Sequence, residues 1–241
     1  MSERCRVLEW DTEFFGFRIA RLDGERLARA EVPEIERWCD ENDVQCLYFL
    51  ATAHDAETIR AAEAMGGHLV DVRVTFSRIA EEPRIRQPDG VVARSAQAED
   101  LHSLLPIAEG SYEDSRFFFD DDFPDQKCRE LYRKWLWNSF EGHADEVRVA
   151  TADGRPVGYV TCHLREAGTT GEIGLVGVDE TVRGRGVGRL VVDDAVAWFS
   201  RQSVQSIIVA TQARNVGAQR LYQACGFRTV SVALWYHRWA R

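Results

Sequence analysis

The order of apolar and polar positions predicts a chain of short strands and amphipathic helices. Up to residue 80, it predicts strand, helix, strand, helix and strand at residues 7–22, 32–41, 46–51, 56–65 and 69–79. Beyond residue 90, it predicts strands at 91–94, 147–151, 157–164, 172–178, 206–210 and 229–239, and helices at 96–108, 126–140, 187–200 and 216–224. This mixed order indicates α/β or α+β layering.

A charged stretch at residues 81–90 separates two apolar strands and contains Pro83 and Pro88. Prolines and glycines among charged residues are typical of turns and loops. We therefore predict a boundary there, with a smaller N-terminal α/β domain at residues 1–88 and a larger domain at residues 89–241.

Two strand-helix-strand segments of nearly equal length resemble each other, one beginning at Ala51 and the other at Ala210. Four further pairs match: Gly66 with Gly226, Val70 with Val230, Val72 with Val232, and Arg78 with Arg238. Any two units of this kind look somewhat alike, so coincidence and duplication both stay open. If the repeat is real, the first copy is degenerate, because Ala62 stands where the second copy has Tyr222.

The net charge and the spacing of the cysteines argue against several classes of binding partner. The net charge of −9 argues against a protein that binds nucleic acid by neutralising phosphates. The six cysteines contain no C-x-x-C pair, so neither a zinc site nor a redox dithiol is indicated. The start of the chain is charged and no apolar run approaches membrane length. We therefore expect a cytoplasmic protein with no metal, no nucleic-acid partner and no membrane segment.

A glycine-rich loop, Arg183-Gly184-Arg185-Gly186-Val187-Gly188, lies between a predicted strand and a predicted helix. Such a loop presents several backbone N–H groups at the positive end of a helix dipole, which suits a phosphate or pyrophosphate. Its spacing excludes the P-loop, which needs a Gly-Lys-Ser/Thr ending, and the dinucleotide fingerprint. Taken alone, it is also compatible with a flexible surface turn.

The surroundings of the loop resemble the GCN5-related N-acetyltransferase (GNAT) superfamily over residues 91–241. Three motifs carry the resemblance: Leu175-Val176-Gly177-Val178-Asp179, the loop itself, and Asn215-x-x-Ala218-x-x-x-Tyr222-x-x-x-Gly226-Phe227. The resemblance implies a central mixed, mostly antiparallel sheet flanked by helices, here preceded by a smaller domain like a degenerate half of that fold. It also implies acetyl-CoA as co-substrate.

The same resemblance assigns roles to individual residues. The strand ending at Val178 would separate from its neighbour, so that backbone amides of Val176, Gly177 and Val178 hold the pantetheine arm and polarise the thioester carbonyl. The pyrophosphate would lie at Arg183, Gly184, Arg185, Gly186, Val187, Gly188 and Arg189. Asn215 and Ala218 would contact the cofactor arm.

Tyr222 resembles the family's general acid, which protonates the departing thiolate; a buried core tyrosine is the alternative. The general base is open. Many family members carry a glutamate at the position of Gly174. Glu172 projects from the same face of that strand and is a candidate base, although an exposed glutamate at a strand end fits equally well.

Aromatic segments suggest an acceptor. Residues 8–16, Ser115-Arg116-Phe117 and Trp235-Tyr236-His237-Arg238 make the chain similar to bacterial acetyltransferases that act on dTDP-fucosamine (dTDP-4-amino-4,6-dideoxygalactose). This implies an amino-sugar nucleotide acceptor bordered by Ser115, Arg116 and Phe117. A polyamine, an aminoglycoside, a peptide N-terminus and a non-catalytic CoA-sensing module remain alternatives. The run Asp120-Asp121-Asp122 would repel a diphosphate unless it faces solvent or a cation. The sequence leaves the oligomeric state open, with a homodimer as one option.

Overall fold

One ten-stranded sheet carries both parts of the chain in the computed structural model, which describes residues 4–240. Its strands are β1 (Cys5–Val7), β2 (Ile19–Leu22), β3 (Cys46–Thr52), β4 (His68–Ile79), β5 (Val91–Ser95), β6 (Glu146–Ala152), β7 (Arg155–Arg165), β8 (Thr170–Val178), β9 (Ser206–Gln212) and β10 (Arg228–Trp239). Its helices are α1 (Glu9–Phe15), α2 (Val32–Glu41), α3 (Ala56–Ala64), α4 (Asp100–Glu109), α5 (Arg116–Phe119), α6 (Asp125–Asn138), α7 (Val187–Arg201) and α8 (Val216–Ala224). The strand order is β1-β2-β3-β10-β4-β9-β8-β7-β6-β5.

Within the described residues, only the β2–β3 and β8–β9 pairs are parallel, and the other neighbours in the sheet are antiparallel. The predicted fold class, a mixed and mostly antiparallel sheet flanked by helices, is therefore confirmed.

The sheet crosses the predicted domain boundary by exchanging strands. Strand β4 lies between β9 and β10, and β10 in turn lies between β3 and β4. Each part of the chain therefore completes the sheet of the other. The domain boundary at residue 88 stays a prediction. Strands from the two sides of this boundary are hydrogen-bonded to each other in the sheet.

The two segments that resemble each other in sequence also match in structure. The units β3-α3-β4 and β9-α8-β10 have elements of 7, 9 and 12 residues in the same order. Asp55 caps α3 by accepting from the backbone N–H of Thr58, and Asn215 caps α8 by accepting from that of Ala218. The match supports an internal repeat, while descent from a duplication stays a prediction.

Helices cover both faces of the sheet around β7 and β8. Helix α7 packs on one face against β5 to β8, and α4, which also contacts α6, packs on the other. Strand β7 is consequently buried from Pro156 to His163, as expected for a strand covered on both faces. Within residues 4–240, no helix is both long and apolar enough to cross a bilayer, and no three His, Cys, Asp or Glu side chains converge as metal ligands would.

The prediction of a strand over residues 7–22 was wrong for its first half, although β2 lies at its end. Helix α1 occupies residues Glu9–Phe15, and Gly16 ends it in the left-handed conformation at φ 85°. The helix places Trp10 and Phe14 one turn apart, where their rings stack at 5.1 Å. The segment between the helices predicted at residues 96–108 and 126–140 contains the short helix α5. The helix expected to reach residue 140 ends at Asn138 and continues as a π turn, Ser139–His143.

Candidate active site

Strands β8 and β9 separate in the middle of the sheet. They pair in parallel from Thr170 opposite Ser206 to Ile173 opposite Val209, and no farther. Beyond Ile173, β9 continues beside β4 while β8 continues beside β7. One edge of β8 therefore faces a gap, and the separation expected for a strand ending at Val178 is present.

A bulge in β8 accompanies the separation. Between Ile173 and Val176, β8 has one residue more than the facing part of β7. The freed N–H of Leu175 donates to the hydroxyl oxygen of Thr161 at 2.8 Å. A bulge of this kind bends a strand and redirects its side chains, and here it lies where the gap begins.

The gap opens into a cleft of about 540 Å³, which we call the cofactor cleft. Three parts of the chain that sequence analysis singled out meet there: the end of β8, the glycine-rich loop and the start of α8. Of the predicted cofactor residues, those that line the cleft are Val176, Val178, Arg183, Gly184, Gly188, Asn215 and Ala218, together with Tyr222. The other lining residues were not predicted; they follow α4 or lie on α8, and they are Gly110, Ser111, Glu113, Asp114, Gly217 and Leu221.

The loop has the backbone geometry of an anion site. Gly184 and Gly186 have φ values of 78° and 86°, a region that side chains other than glycine rarely adopt. Gly186 is the N-cap of α7 and supplies no side chain, so the first-turn N–H groups of this 15-residue helix remain open at the positive end of its dipole. The expected contact of this end of the cleft with a pyrophosphate stays a prediction.

The other predicted loop residues have different surroundings. Val187 is buried and anchors α7, while Arg185 is exposed. Arg183 donates from Nε to the carbonyl oxygen of Val178, and Arg189 pairs with Asp193 at 3.3 Å. In β8, Gly177 is buried, and a Cβ there would come within 2.4 Å of the Tyr159 ring. Gly177 is therefore required by packing.

Tyr222 projects from α8 into the cofactor cleft. Its ring contacts Phe76 and Phe227, with centroids at 6.0 and 6.1 Å, and only 5% of the residue is exposed. Burial raises the pKa of Tyr222 above its ordinary value, so the phenol is protonated at neutral pH. At the N-terminus of the same helix, Asn215 uses its side-chain oxygen for the cap, which leaves its NH₂ group available as a donor.

No glutamate fits at Gly174 as the chain stands. A Cβ there would come within 2.7 Å of His163 Nε2 and 2.8 Å of Thr161 Oγ1. Glu172, the candidate base, accepts a hydrogen bond from Arg165 Nε at 2.6 Å. Its role as base stays a prediction.

Sequence analysis did not select His163 as a candidate site residue. It is buried on β7, opposite Glu172 in the ladder, and lines a second cleft of about 480 Å³ together with Glu172, Gly174 and Leu175. The strand pattern alone contained no signal for it, because its position beside Gly174 depends on the bulge.

The three predicted acceptor residues lie at an aromatic cluster, to which Phe117 belongs. Ser115 and Phe117 are each 2% exposed. The guanidinium of Arg116 lies 4.2 Å from the ring centroids of Tyr48 and Trp235, and it donates to His237 Nε2 at 2.7 Å. Their contact with an acceptor stays a prediction.

The acidic run after α5 begins inside that cluster. Asp120 is buried and accepts hydrogen bonds from His237 Nδ1 and from Trp239 Nε1. Burial lowers the pKa of His237 to about 4, so its imidazole is neutral. The neutral ring bridges Arg116 and Asp120 through its two nitrogens. Asp120 is therefore bonded within the protein, whereas Asp121 and Asp122 are exposed.

Comparison with known proteins agrees with this arrangement. Residues 111–227 match the Acetyltransferase (GNAT) family. The dTDP-fucosamine acetyltransferase of Escherichia coli O6:H1 is 31% identical over 172 residues, which cover 68% of this chain and 72% of that protein. The spore coat polysaccharide biosynthesis protein SpsD of Bacillus subtilis is 25% identical over 140 residues, 58% of this chain and 48% of that protein.

Solved structures show the same fold at low identity. A GCN5-related N-acetyltransferase from Sphaerobacter thermophilus gives a TM-score of 0.72 at 18% identity, covering 98% of this chain and 76% of that one. A tandem GNAT protein from the clavulanic acid biosynthesis pathway gives 0.65 at 16% identity, covering 94% and 76%.

The family match and the similarity to named acetyltransferases define an enzyme of the N-acetyltransferase class. The chain belongs to the GNAT family, whose members use acetyl-CoA as co-substrate.

Proposed function

We propose that the chain transfers the acetyl group of acetyl-CoA to the primary amine of an amino-sugar nucleotide, the 4-amino group of a dTDP-amino-deoxysugar. The proposed transfer is supported by one observation: the edge of β8, the start of α7 and Tyr222 all line the same cleft. The observation that favours the acceptor is the similarity to the dTDP-fucosamine acetyltransferase over 72% of its length.

The roles of the residues follow from the cleft. The loop at Gly184 and Gly186 and the open end of α7 bind the pyrophosphate. The backbone at Val176 and Val178 lies on the free edge of β8, where its N–H groups hold the pantetheine arm and polarise the thioester carbonyl. Tyr222 is protonated and donates its proton to the thiolate as it departs.

An acceptor screen with free-thiol detection tests the proposal. Purified protein is given acetyl-CoA and, in parallel, dTDP-4-amino-4,6-dideoxygalactose, the same sugar without its nucleotide, spermidine, an aminoglycoside and a short peptide with a free N-terminus. We expect thiol release with the amino-sugar nucleotide at the highest kcat/KM. A higher kcat/KM with any of the other amines would refute the proposed acceptor.

Calorimetric titration with acetyl-CoA and with coenzyme A separates the cofactor from the acceptor. We expect both to bind, because pyrophosphate and pantetheine are common to the two. If neither acetyl-CoA nor coenzyme A gives heat or a thermal shift, the assignment of the cofactor cleft is refuted, independently of the acceptor screen.

A further inference from the structure

The second cleft lies beside the cofactor cleft along the same strand. Gly174 and Leu175 line the second cleft, and Val176 and Val178 line the cofactor cleft. Successive residues of a fully extended strand rise no more than about 3.6 Å each, so Gly174 and Val176 lie within roughly 7 Å of each other along the bulged part of β8. A group held at Gly174 is therefore close to a thioester carbonyl held at Val176, directly or through one water.

The walls of the second cleft suit a small ring with polar substituents. Trp10 of α1 and Trp135 of α6 contribute indole surface, and Trp10 is 37% exposed. Asn138 and Ser139 add an amide and a hydroxyl. Pockets that combine aromatic surface with a few convergent polar groups are typical of small-molecule sites, and this combination matches a sugar that carries hydroxyls and an amine.

One ring nitrogen of His163 can accept a proton. Its Nδ1 lies 3.2 Å from the carbonyl oxygen of His143, and because a carbonyl can only accept, Nδ1 carries the hydrogen. Its Nε2 therefore bears the lone pair, which accepts a hydrogen bond of 3.3 Å from the Thr161 hydroxyl and also borders the space above Gly174. A proton taken from a ligand would replace this long bond. The absence of a side chain at Gly174 leaves that space to the imidazole and to a ligand.

We propose that the second cleft binds the acceptor and that His163 Nε2 takes the proton of the acceptor amine. The inference rests on the amine acetylation proposed above. The amine nitrogen uses its lone pair to form the bond to the thioester carbonyl carbon, and its proton passes to Nε2. The C–S bond breaks, the thiolate takes a proton from Tyr222, and solvent returns the proton from His163 to the phenolate, giving an amide and a free thiol.

The charged groups around His163 leave it able to accept a proton at neutral pH. Burial lowers the pKa of His163 below its ordinary value of 6.5, and Arg165 on the same strand acts in the same direction. Glu172 of β8 opposes them, and His143 of the π turn adds a smaller lowering through its charge. The imidazole is therefore neutral near pH 7 and becomes charged only in more acidic solution.

A matched pair of histidine variants tests the base. We expect His163→Gln to lower kcat about 10²-fold or more while the acetyl-CoA Kd stays unchanged, and His102→Gln, at an exposed position on α4, to change neither. The wild-type kcat should fall as the pH drops through the pKa of His163, and His163→Gln should lose this acidic limb. Should His163→Gln fail to fold, Gly174→Ala should cause the same loss, because its methyl group would displace the imidazole.

A matched pair of tryptophan variants tests the cleft. We expect Trp10→Ala to raise the acceptor KM roughly tenfold with little change in kcat, and Trp137→Ala, at a similarly exposed tryptophan outside the cleft, to leave it unchanged. An unchanged KM in Trp10→Ala would overturn the acceptor site. A His163→Gln enzyme that keeps its kcat and its acidic limb would overturn the base.

Both tests run with whichever amine the wild-type enzyme acetylates. If the amino-sugar nucleotide is inactive and another amine is acetylated, the proposed acceptor fails while the roles of His163 and Trp10 are still measured. The two failures are therefore distinguishable.

Discussion

Replacing Asp71 by asparagine should stabilise the protein near neutral pH and have little effect in acid. Asp71 lies on β4 with 3% of its surface exposed, and its Oδ1 has no hydrogen-bond partner. The nearest cationic atom, Arg214 Nη2, is 3.9 Å away, too far for a hydrogen bond. Burial, only partly offset by Arg214, raises the pKa of Asp71 from 3.8 to about 6.

The magnitude follows from that shift. A difference of one pKa unit between the folded and unfolded states is worth about 1.4 kcal/mol, so the shift of Asp71 corresponds to about 3 kcal/mol. Because the folded-state pKa is raised, this stability is fully present below about pH 4 and is lost as the pH rises through about 6. Asparagine never ionises, so the variant should keep that stability at about pH 8.

Thermal unfolding followed by circular dichroism at about pH 4 and about pH 8 measures the effect. For a chain of this size, 3 kcal/mol corresponds to a rise in Tm of roughly 6–12 °C at the higher pH. Asp121→Asn, at an exposed aspartate, is the control and should shift Tm little at either pH. A lower Tm for Asp71→Asn at about pH 8 would show that the ion pair with Arg214 outweighs desolvation, which would refute the reasoning.

Three further variants examine the cofactor cleft. Tyr222→Phe should keep the acetyl-CoA Kd and lower kcat by about 10²-fold or more, measured by thiol release; an unchanged kcat would remove Tyr222 from the reaction. Gly186→Ala should cost about 1–2 kcal/mol and raise the acetyl-CoA Kd, whereas Gly142→Ala, also at positive φ, should cost stability without changing Kd in calorimetry. Asn215→Ala should lose about 1 kcal/mol of stability and also weaken acetyl-CoA binding, while the corresponding cap change Asp55→Ala should lose stability alone; equal Kd values in the two would argue against cofactor contact by Asn215.

Local features of the fold were predictable from the sequence, because they depend on neighbouring residues. The helix predicted at residues 216–224 and the glycine-rich turn before α7 are present. Helix α1 was missed because its aromatic residues fit a strand equally well until Phe15 is known to be buried against other rings.

Features that depend on pairing between distant segments were not predictable. The order β3-β10-β4-β9 joins strands far apart in the chain, and no local pattern encodes which edges meet. The proximity of His163 to Gly174 has the same origin, because it requires both the β7–β8 register and a one-residue bulge. Predicting each strand separately could not show that His163 and Gly174 lie side by side.

The exchange of β4 and β10 has a consequence for biosynthesis. As the chain leaves the ribosome, β3 and β4 emerge well before β10, the strand that lies between them, because β5 to β9 are made first. The first half therefore cannot complete its hydrogen-bonded sheet until β10 has emerged, and until then it exposes strand edges that could pair with other chains. Folding of the two halves is expected to be concerted and to wait for β10, so release of a chain truncated before β10 should yield an aggregating fragment.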